Sequence, residues 1–448
     1  MSLLKRGRFY YWFIQELGKK YKRQIIFGLV IGSISIIAIQ NFFLPFYKTQ
    51  AKPTDYIGVV GDYTVATLPE SILRQISYGL TQQDESGTIS PGLASSWEAT
   101  DSGKTYIFQI NTNMVWHDGT KVTLEDINYN IQGVSASRTQ PNTITYQIPM
   151  AYSPFLTVMS KPLFKKGLVG YGPYYVSGII FKAGSFLSLT LSSHDENTHN
   201  KIYKFYKTET QAMLAYKQGE VDRLEGILAV DPDIMKWKNT VVTDEVNYSR
   251  MVSIFFNVKD PLLQEKSVRQ ALAWAVPDMP DEERAYSPIG KTSWAYTDTV
   301  KKYTFDEKQA KKLFDATKLG TTSATLTLHT FSPYLSIAQK IAESWTRFGI
   351  KTEVKVENIR PESYQVLLTA RDIPKDPDQY AFWHSTQTQT NIDNYSNPKI
   401  DKLLEDGRVE TDPEKRLQLY VDFQKRLVDE APALFLYYPK TFRIERKK

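Results

Sequence analysis

The sequence predicts a mixed α/β protein with more than one lobe, preceded by one apolar helix long enough to cross a membrane. Three observations carry this. The chain has 448 residues, room for two or three domains of ordinary size. Residues 324–356 read strand, helix, strand: "ATLTLHT", then Ile337, Ile341, Trp345 and Phe348 at helical spacing up to Gly349, then the alternating "IKTEVKV". Such a βαβ unit has parallel strands and a right-handed crossover. Finally, residues 25–46, "IIFGLVIGSISIIAIQNFFLPF", contain no charge and as a helix would span about 33 Å, the thickness of a bilayer core.

Lys5, Arg6, Arg8, Lys19, Lys20, Lys22 and Arg23 stand before that run against Glu16, which gives +6 in residues 1–24 and leaves the rest of the chain neutral, since the whole chain carries +6. A neutral body argues against nucleic-acid binding, where the folded domain itself should be basic. The basic arm instead orients the span. With Lys48 and Lys52 alone closely following it, the N-terminus is expected in the cytoplasm and the body outside, on a single-pass anchor at the cell membrane. A cleaved leader would have a shorter apolar region and a small-x-small site, and "IAIQNFFLPF" offers none. There is no cysteine, so neither disulfides nor a lipid-modified cysteine contributes.

After a polar spacer at residues 48–53, "TYIFQI" puts Tyr106, Phe108 and Ile110 on one face, and "DSG" before it turns the chain back on the Trp97 segment. "NMVWHDGTKVTLEDINYNI" follows, with a histidine and three carboxylates close together. Asp118-Gly119 is a turn pair. Thr123 reads as a helix N-cap with Asp126 three residues on, and Leu124, Ile127 and Ile131 continue at helical spacing. The acidic residues thus have structural tasks, and His117-Asp118 is read as a turn rather than an acid/base pair, since neighbours at a turn diverge. "ETQAMLAYKQGEVD" is a helix closed by Gly219, "SIFFNV" a buried strand, and "SVRQALAWAVP" a helix burying Val268, Ala271, Leu272 and Ala275. The last helix starts at Asp412-Pro413 and precedes the aromatic strand "ALFLYYP".

His194 and His199 sit five apart in a polar loop without the third ligand a metal needs. His384-Ser385 has no Gly-x-Ser-x-Gly elbow, and sequence neighbours on a strand cannot serve as base and nucleophile. No catalytic residue, metal or cofactor is expected. The run "DPDQYAFWHSTQ" gathers Tyr380, Phe382, Trp383 and His384 with Asp376 and Asp378, and reads equally as a ligand-cleft wall or as a buried core edge.

Several segments in order, among them "YGLTQQDESGTISPGLASSWEATDSGKTYIFQI", "VWHDGTKVTLEDI", "GYGPYYV", "AMLAYKQGEVD", "FFNVKDPLLQEKSVRQALAWAV", "YTFDEKQAKKLF" and "NIDNYSNPKIDKLLEDGRVETDPEKRLQLYVDFQKRLVDEAPALFLYYP", resemble the extracytoplasmic solute-binding proteins of peptide- and nickel-type ABC importers, family 5. The resemblance covers nearly all of residues 78–439. It implies a two-lobed periplasmic-binding-protein-like fold of the class II, cluster C type: a first lobe at 54–255 with an inserted subdomain near 78–165, a second lobe at 256–430, and a return to the first at 431–448. In similar proteins "HDG" and a capped helix mark the inserted subdomain.

The resemblance further implies a monomeric, non-enzymatic protein that holds a peptide or similar elongated solute between its lobes, partly by backbone pairing, and delivers it to ABC permease subunits with cytoplasmic ATPases. By position, the candidate contacts are Val65, Ala66 and Thr67 after the first strand, then Thr369, Arg371, Asp372 and Ile373, with Tyr380, Trp383 and His384 from the aromatic run. Some peptide binders carry an aspartate before the "DP" element to hold an amino terminus. Here Ile373 stands in that place, with Asp372 adjacent, which leaves amine capture open. A sensor or scaffold that keeps the fold without transport is the alternative reading.

Overall fold

The computed structural model describes residues 12–13, 15–39, 41, 52–138, 140–317 and 325–447. The chain divides into two compact units, residues 1–55 with 193–200 and residues 56–192 with 201–448. In the first, Lys22–Ala38 is a 17-residue helix with no buried residue, and His199 Nδ1 meets Asp55 Oδ1 at 3.0 Å. The expected membrane span runs on through residues 40 and 42–46, which lie outside the described residues. Among the described residues, no helix is long and apolar enough to cross a membrane.

The large unit is organised by two sheets. The seven-stranded sheet runs Thr240–Val246, Lys440–Arg446, Arg223–Ile227, Thr54–Val60, Asn200–Tyr206, Ser185–Ser192 and Tyr175–Lys182. The six-stranded sheet runs Glu283–Arg284, Ala433–Tyr438, Arg250–Phe256, Val366–Asp372, Leu326–Phe331 and Thr352–Glu357. The second sheet therefore takes up Arg250–Phe256, placed by sequence at the end of the first lobe, and Ala433–Tyr438, placed in the return. Apart from Ser253, the buried residues of both strands are apolar, and each needs the covered middle of a sheet.

The local readings hold where periodicity is strong. Leu326–Phe331 and Thr352–Glu357 pair in parallel, Leu326 opposite Thr352, and the helix Leu335–Arg347 between them buries Ile341 and Trp345. Trp345 donates its indole N–H to the Leu272 carbonyl at 2.9 Å, which docks this helix on Lys266–Trp274. Glu209–Gln218 starts on the Thr208 hydroxyl and stops at Gly219, whose φ of 78° favours glycine. Pro413–Glu430 starts on the Asp412 carboxylate, which accepts from the Glu414 and Lys415 amides. At its other end the buried guanidinium of Arg269 donates to the carbonyls of Glu430, Ala431, Leu263 and Gln264 at 2.7–3.0 Å. Carbonyls that a helix end leaves unpaired are thereby satisfied by a cation, the favourable sign there.

The four-stranded sheet Ala94–Thr100, Thr105–Ile110, Thr143–Gln147 and Ser135–Ser137, with the ribbon Thr81–Gln83 and Ile89–Pro91, forms the inserted region. Tyr106, Phe108 and Ile110 are buried along one face of it, as the alternation requires. Asp118-Gly119 is the expected turn: Gly119 has φ of 82°, its amide donates to the Trp116 carbonyl at 2.9 Å, and Asp118 Oδ1 accepts from the Thr120 hydroxyl at 2.6 Å.

The capped helix after Thr123 is not formed. Asp126 Oδ2 does accept from the Thr123 amide and hydroxyl, both at 3.0 Å, but the same oxygen accepts the Trp116 indole N–H at 3.0 Å. The chain then turns so that Ile127 is buried and the Tyr129 hydroxyl reaches the Met159 carbonyl at 2.7 Å and the Leu80 amide at 2.8 Å. Residues 127 and 129 point inward together, which one helix face does not permit. Asp126→Ala should cost about 1–3 kcal/mol of stability, because it strands the buried Trp116 N–H; urea unfolding followed by tryptophan fluorescence measures it, and a loss below about 0.5 kcal/mol would show the contact to be incidental.

Candidate ligand-binding cleft

The two sheets are joined by a pair of antiparallel strands that pass through both. Thr240–Val246 continues into Arg250–Phe256 through residues 247–249, and Ala433–Tyr438 continues into Lys440–Arg446 through Pro439. The segments pair on either side of the crossing, Val246 with Lys440 and Val252 with Tyr437. At the crossing the Asn247 amide donates to the Pro439 carbonyl at 2.9 Å. Asn247 Oδ1 accepts from the Ser249 amide at 3.0 Å, a side-chain turn that changes the strand's direction there.

A cleft of about 450 Å³ lies against this crossing. Glu245, Asn247, Tyr248, Ser249 and Thr441 come from the strands themselves, Gly290, Thr292 and Ser293 from the following loop, and Ile373, Pro374 and Lys375 from the end of Val366–Asp372. Ser71 and Glu85 complete the wall. Its volume is that of a small-molecule site, which runs to about 300–1,000 Å³. The Ile373 amide donates to the Ser249 carbonyl at 2.8 Å, so this edge is tied directly to the crossing. Among the described residues, no group of three or more His, Asp or Glu side chains could hold a metal ion.

The sequence-derived candidates fall in three places. Val65, Ala66 and Thr67 form an exposed turn, with the Thr67 amide on the Thr64 carbonyl at 3.1 Å, and do not line this cleft. Ile373 does line it, and Arg371, Asp372 and Trp383 join Ile373 around an adjoining shallow depression. Asp372 is exposed and lies 3.5 Å from Arg250 on the paired strand. Thr369 pairs with Ser253, and Arg371 lies on the same face of the strand. There its guanidinium sits over Phe255, Phe382 and Trp383 at 4.7, 4.6 and 5.7 Å and donates to the Thr390 carbonyl at 3.2 Å.

The aromatic run settles as core. Trp383 is 2% exposed and packs on Phe255 and Phe435. Tyr380 stacks on the buried His384 with ring centres 4.1 Å apart, under the Arg408 guanidinium at 4.2 Å. Asp376 and Asp378 are equally structural, bound to Arg416 at 2.7 Å and Arg408 at 3.0 Å. Burial alone would lower the Arg416 pKa, but Asp376 beside it outweighs that and raises it. Ser385 donates to Asp401 at 2.6 Å, while His384 faces Thr386 and Glu405, so the two do not form a nucleophile and base.

The sequence profile of the bacterial extracellular solute-binding proteins, family 5, matches residues 88–148 and 135–394. The chain belongs to that family. Among family 5 relatives, the probable D,D-dipeptide-binding periplasmic protein DdpA of Escherichia coli K12 is 22% identical, the match covering 86% of each chain. The oligopeptide-binding protein AppA of Bacillus subtilis 168 is 21% identical over 92% of this chain and 86% of its own. Of solved structures, NikZ from Campylobacter jejuni in complex with Ni(L-His) is similar with a TM-score of 0.71 at 20% identity, covering 89% of this chain and 94% of that one. Bacillus subtilis AppA in complex with a nonapeptide gives 0.64 at 20% identity, covering 88% and 95%. These likenesses establish the two-lobed α/β fold for this family 5 chain.

Sequence reasoning missed the crossing residues at 245–249 and 439–441, whose one local signal is a proline between two strands. It also missed Asp393. This carboxyl is 1% exposed, neither of its oxygens has a well-aligned hydrogen-bond partner among the described residues, and burial pushes its pKa up to about 7 even though Arg371 and the nearby Asp393 and Tyr395 amides pull the other way. An unfolded aspartate titrates near 3.9, so the folded state holds a proton that the unfolded state has released between about pH 4 and 7. Stability contributed by this group is full below pH 4 and is lost as pH rises toward 7. Asp393→Asn should therefore gain on the wild type by up to about 1.4 kcal/mol per pH unit across that window. Urea midpoints from pH 4.5 to 7.5 test this, and parallel profiles for the two proteins would refute it.

Proposed function

We propose that this chain is the membrane-anchored, extracytoplasmic solute-binding component of an ABC importer, and that it captures peptides or similarly elongated solutes in the cleft at the strand crossing. The observation that carries the reading is the coincidence of cleft and crossing in a family 5 fold. A ligand wedged where two sheets share a two-stranded connection touches both, and closure follows if it binds the closed arrangement better than the open one.

The chemistry of the cleft suits a peptide backbone. Its polar groups are mainly amide, hydroxyl and main-chain groups, from Asn247, Ser249, Thr292, Ser293 and Thr441. Strand Val366–Asp372 pairs along its length with Arg250–Phe256, but on its other edge the pairs with Leu326–Phe331 stop at Leu368. The main chain from Thr369 to Asp372 thus offers an edge leading to Ile373 in the cleft wall, the kind of edge that an extended peptide extends as a further strand. With Ile373 at the place of the amine-binding aspartate, recognition rests on main-chain pairing rather than on a terminal charge. AppA of Bacillus subtilis, bound to a nonapeptide, and the dipeptide-binding protein of Escherichia coli support this class of solute.

The anchor is the charge-free run of residues 25–46 preceded by seven cations. Tethering keeps the cleft near the permease, raising the local concentration of loaded protein much as a linker does. Val65, Ala66 and Thr67 remain proposed as contacts that approach as the lobes close.

Native mass spectrometry of the full chain, extracted from membranes without denaturation, should show a heterogeneous set of bound peptide masses. Thr292→Trp, which fills the cleft from an exposed position, should release them with the melting temperature unchanged. A wild-type chain that emerges empty and shows no thermal shift with a peptide library would overturn the reading.

A further inference from the structure

Behind the cleft lies a second cavity of about 560 Å³ whose lining is of a different kind: Ile89, Trp97, Tyr106, Leu156 and Trp294 give it large apolar and aromatic walls. Its charged groups are already engaged. Asp376 accepts from both Arg416 terminal nitrogens, at 2.7 and 3.1 Å, from the Thr157 hydroxyl at 3.3 Å and from the Asp378 amide at 2.9 Å. Glu410 Oε1 accepts from the Asp412 amide at 2.8 Å. What remains to meet a ligand is an apolar, aromatic surface.

The two cavities share one wall. Glu85, Ser293 and Lys375 face the cleft, and Gly87, Trp294 and Asp376, one or two residues along the same three segments, face the aromatic chamber. The wall is the tip of the ribbon at residues 84–88. Asp84 Oδ1 holds the tip in shape by accepting from the Ser86 amide and hydroxyl and the Thr88 amide at 2.7–3.0 Å. The tip docks through the Trp294 amide on the Ser86 carbonyl at 2.9 Å. Gly87 has φ of 85°, and a Cβ there would lie 2.4 Å from the Lys375 carbonyl oxygen, so the main chains touch where a side chain would not fit. Lys375 Nζ lies 3.6 Å from Glu85 on the cleft side.

We infer that the tip of residues 84–88 is a partition between a polar cleft for the main chain of the ligand and an aromatic chamber for its apolar end, so that the preferred solutes are elongated molecules ending in an uncharged aromatic or bulky aliphatic group. This rests on the proposed function for the cleft and adds the second half of the site. Residues one or two apart on the same segments face the two cavities, so a solute one or two residues longer than the cleft has the reach to place its end beyond the tip. A charged end is disfavoured there, because it would have to displace an ion pair that is already complete.

The test uses the full chain in detergent, with trialanine and Ala-Ala-Phe, both as C-terminal amides so that the end is uncharged, titrated calorimetrically, and Ala99→Phe, which fills the chamber from an exposed position. The wild type should bind Ala-Ala-Phe at least about tenfold more tightly than trialanine, the worth of burying a phenyl ring. Ala99→Phe should abolish that advantage and leave trialanine binding unchanged. Equal binding of the two peptides by the wild type, or an advantage that survives in Ala99→Phe, overturns the chamber while leaving the cleft reading intact. If neither peptide binds, the cleft reading fails, and 4-fluorotoluene decides the chamber separately. Its fluorine resonance should broaden more with wild type than with Ala99→Phe at equal protein and detergent, and equal broadening overturns the inference.

Discussion

The structure depends on the two-stranded crossing at Asn247 and Pro439. Each sheet has its own apolar core, and what passes between them is one antiparallel pair that belongs to both. Proline at residue 439 is acceptable there because the ladder is interrupted at the bend, where its missing N–H leaves no bond unmade. Its carbonyl still accepts the Asn247 amide, which keeps the two connections side by side. A pair of strands bends more easily than a packed core deforms, so under the proposed closure the few dihedrals at 247–249 and 439 are where one sheet would turn against the other. The cleft lies on that line, so such a turn would change its width directly.

How much of this was legible in the sequence follows from how local each cause is. The βαβ unit at 326–357 and the helices ending at Gly219 and starting at Asp412 were readable because periodicity and caps act within a few residues. The helix after Thr123 was misread because its supposed capping partner, Asp126, is claimed by the indole of Trp116, a contact fixed by the fold. The aromatic run at 380–384 could not be assigned from composition, since aromatic residues line clefts and fill cores alike. Only the packing of Trp383 between Phe255 and Phe435, from strands distant in sequence, decides for the core. The crossing itself was invisible for the same reason: residues 240–246 acquire their role from partners about 200 positions away.

The pleat puts Thr369 and Arg371 on the aromatic face with Ser253 and Phe255 and turns Asp372 to the other face. Ile373 lies just past the strand's end, where its amide ties it to Ser249 at the crossing. A resemblance fixes where such a strip lies in sequence, but the alternation of the strand fixes what each member can touch. Arg371 illustrates the consequence. Its cation is spread over three ring faces and one carbonyl, with the buried Asp393 near enough to favour the charged form. Burial nevertheless lowers its pKa to about 10, so the guanidinium stays charged at neutral pH, and the rings that hold it supply part of what water would.

These placements bear on selectivity. Where a binding cleft carries an unpaired buried charge, it rejects every solute lacking the complementary ion, because the unpaired group is costly. In this chain the buried charges near the cleft are already spent: Asp376 on Arg416, Asp378 on Arg408, and Arg371 among its rings. The carboxylates that line the cleft itself, Glu85 and Glu245, are exposed to solvent, and Lys375 lies beside Glu85, so a solute that offers them no partner leaves no buried ion bare. Discrimination by side-chain charge is weak under that arrangement. At the cleft itself, shape, length and the count of main-chain hydrogen bonds remain as the selecting quantities, and they favour extended solutes as a class, to which the proposed chamber adds a preference for an apolar end.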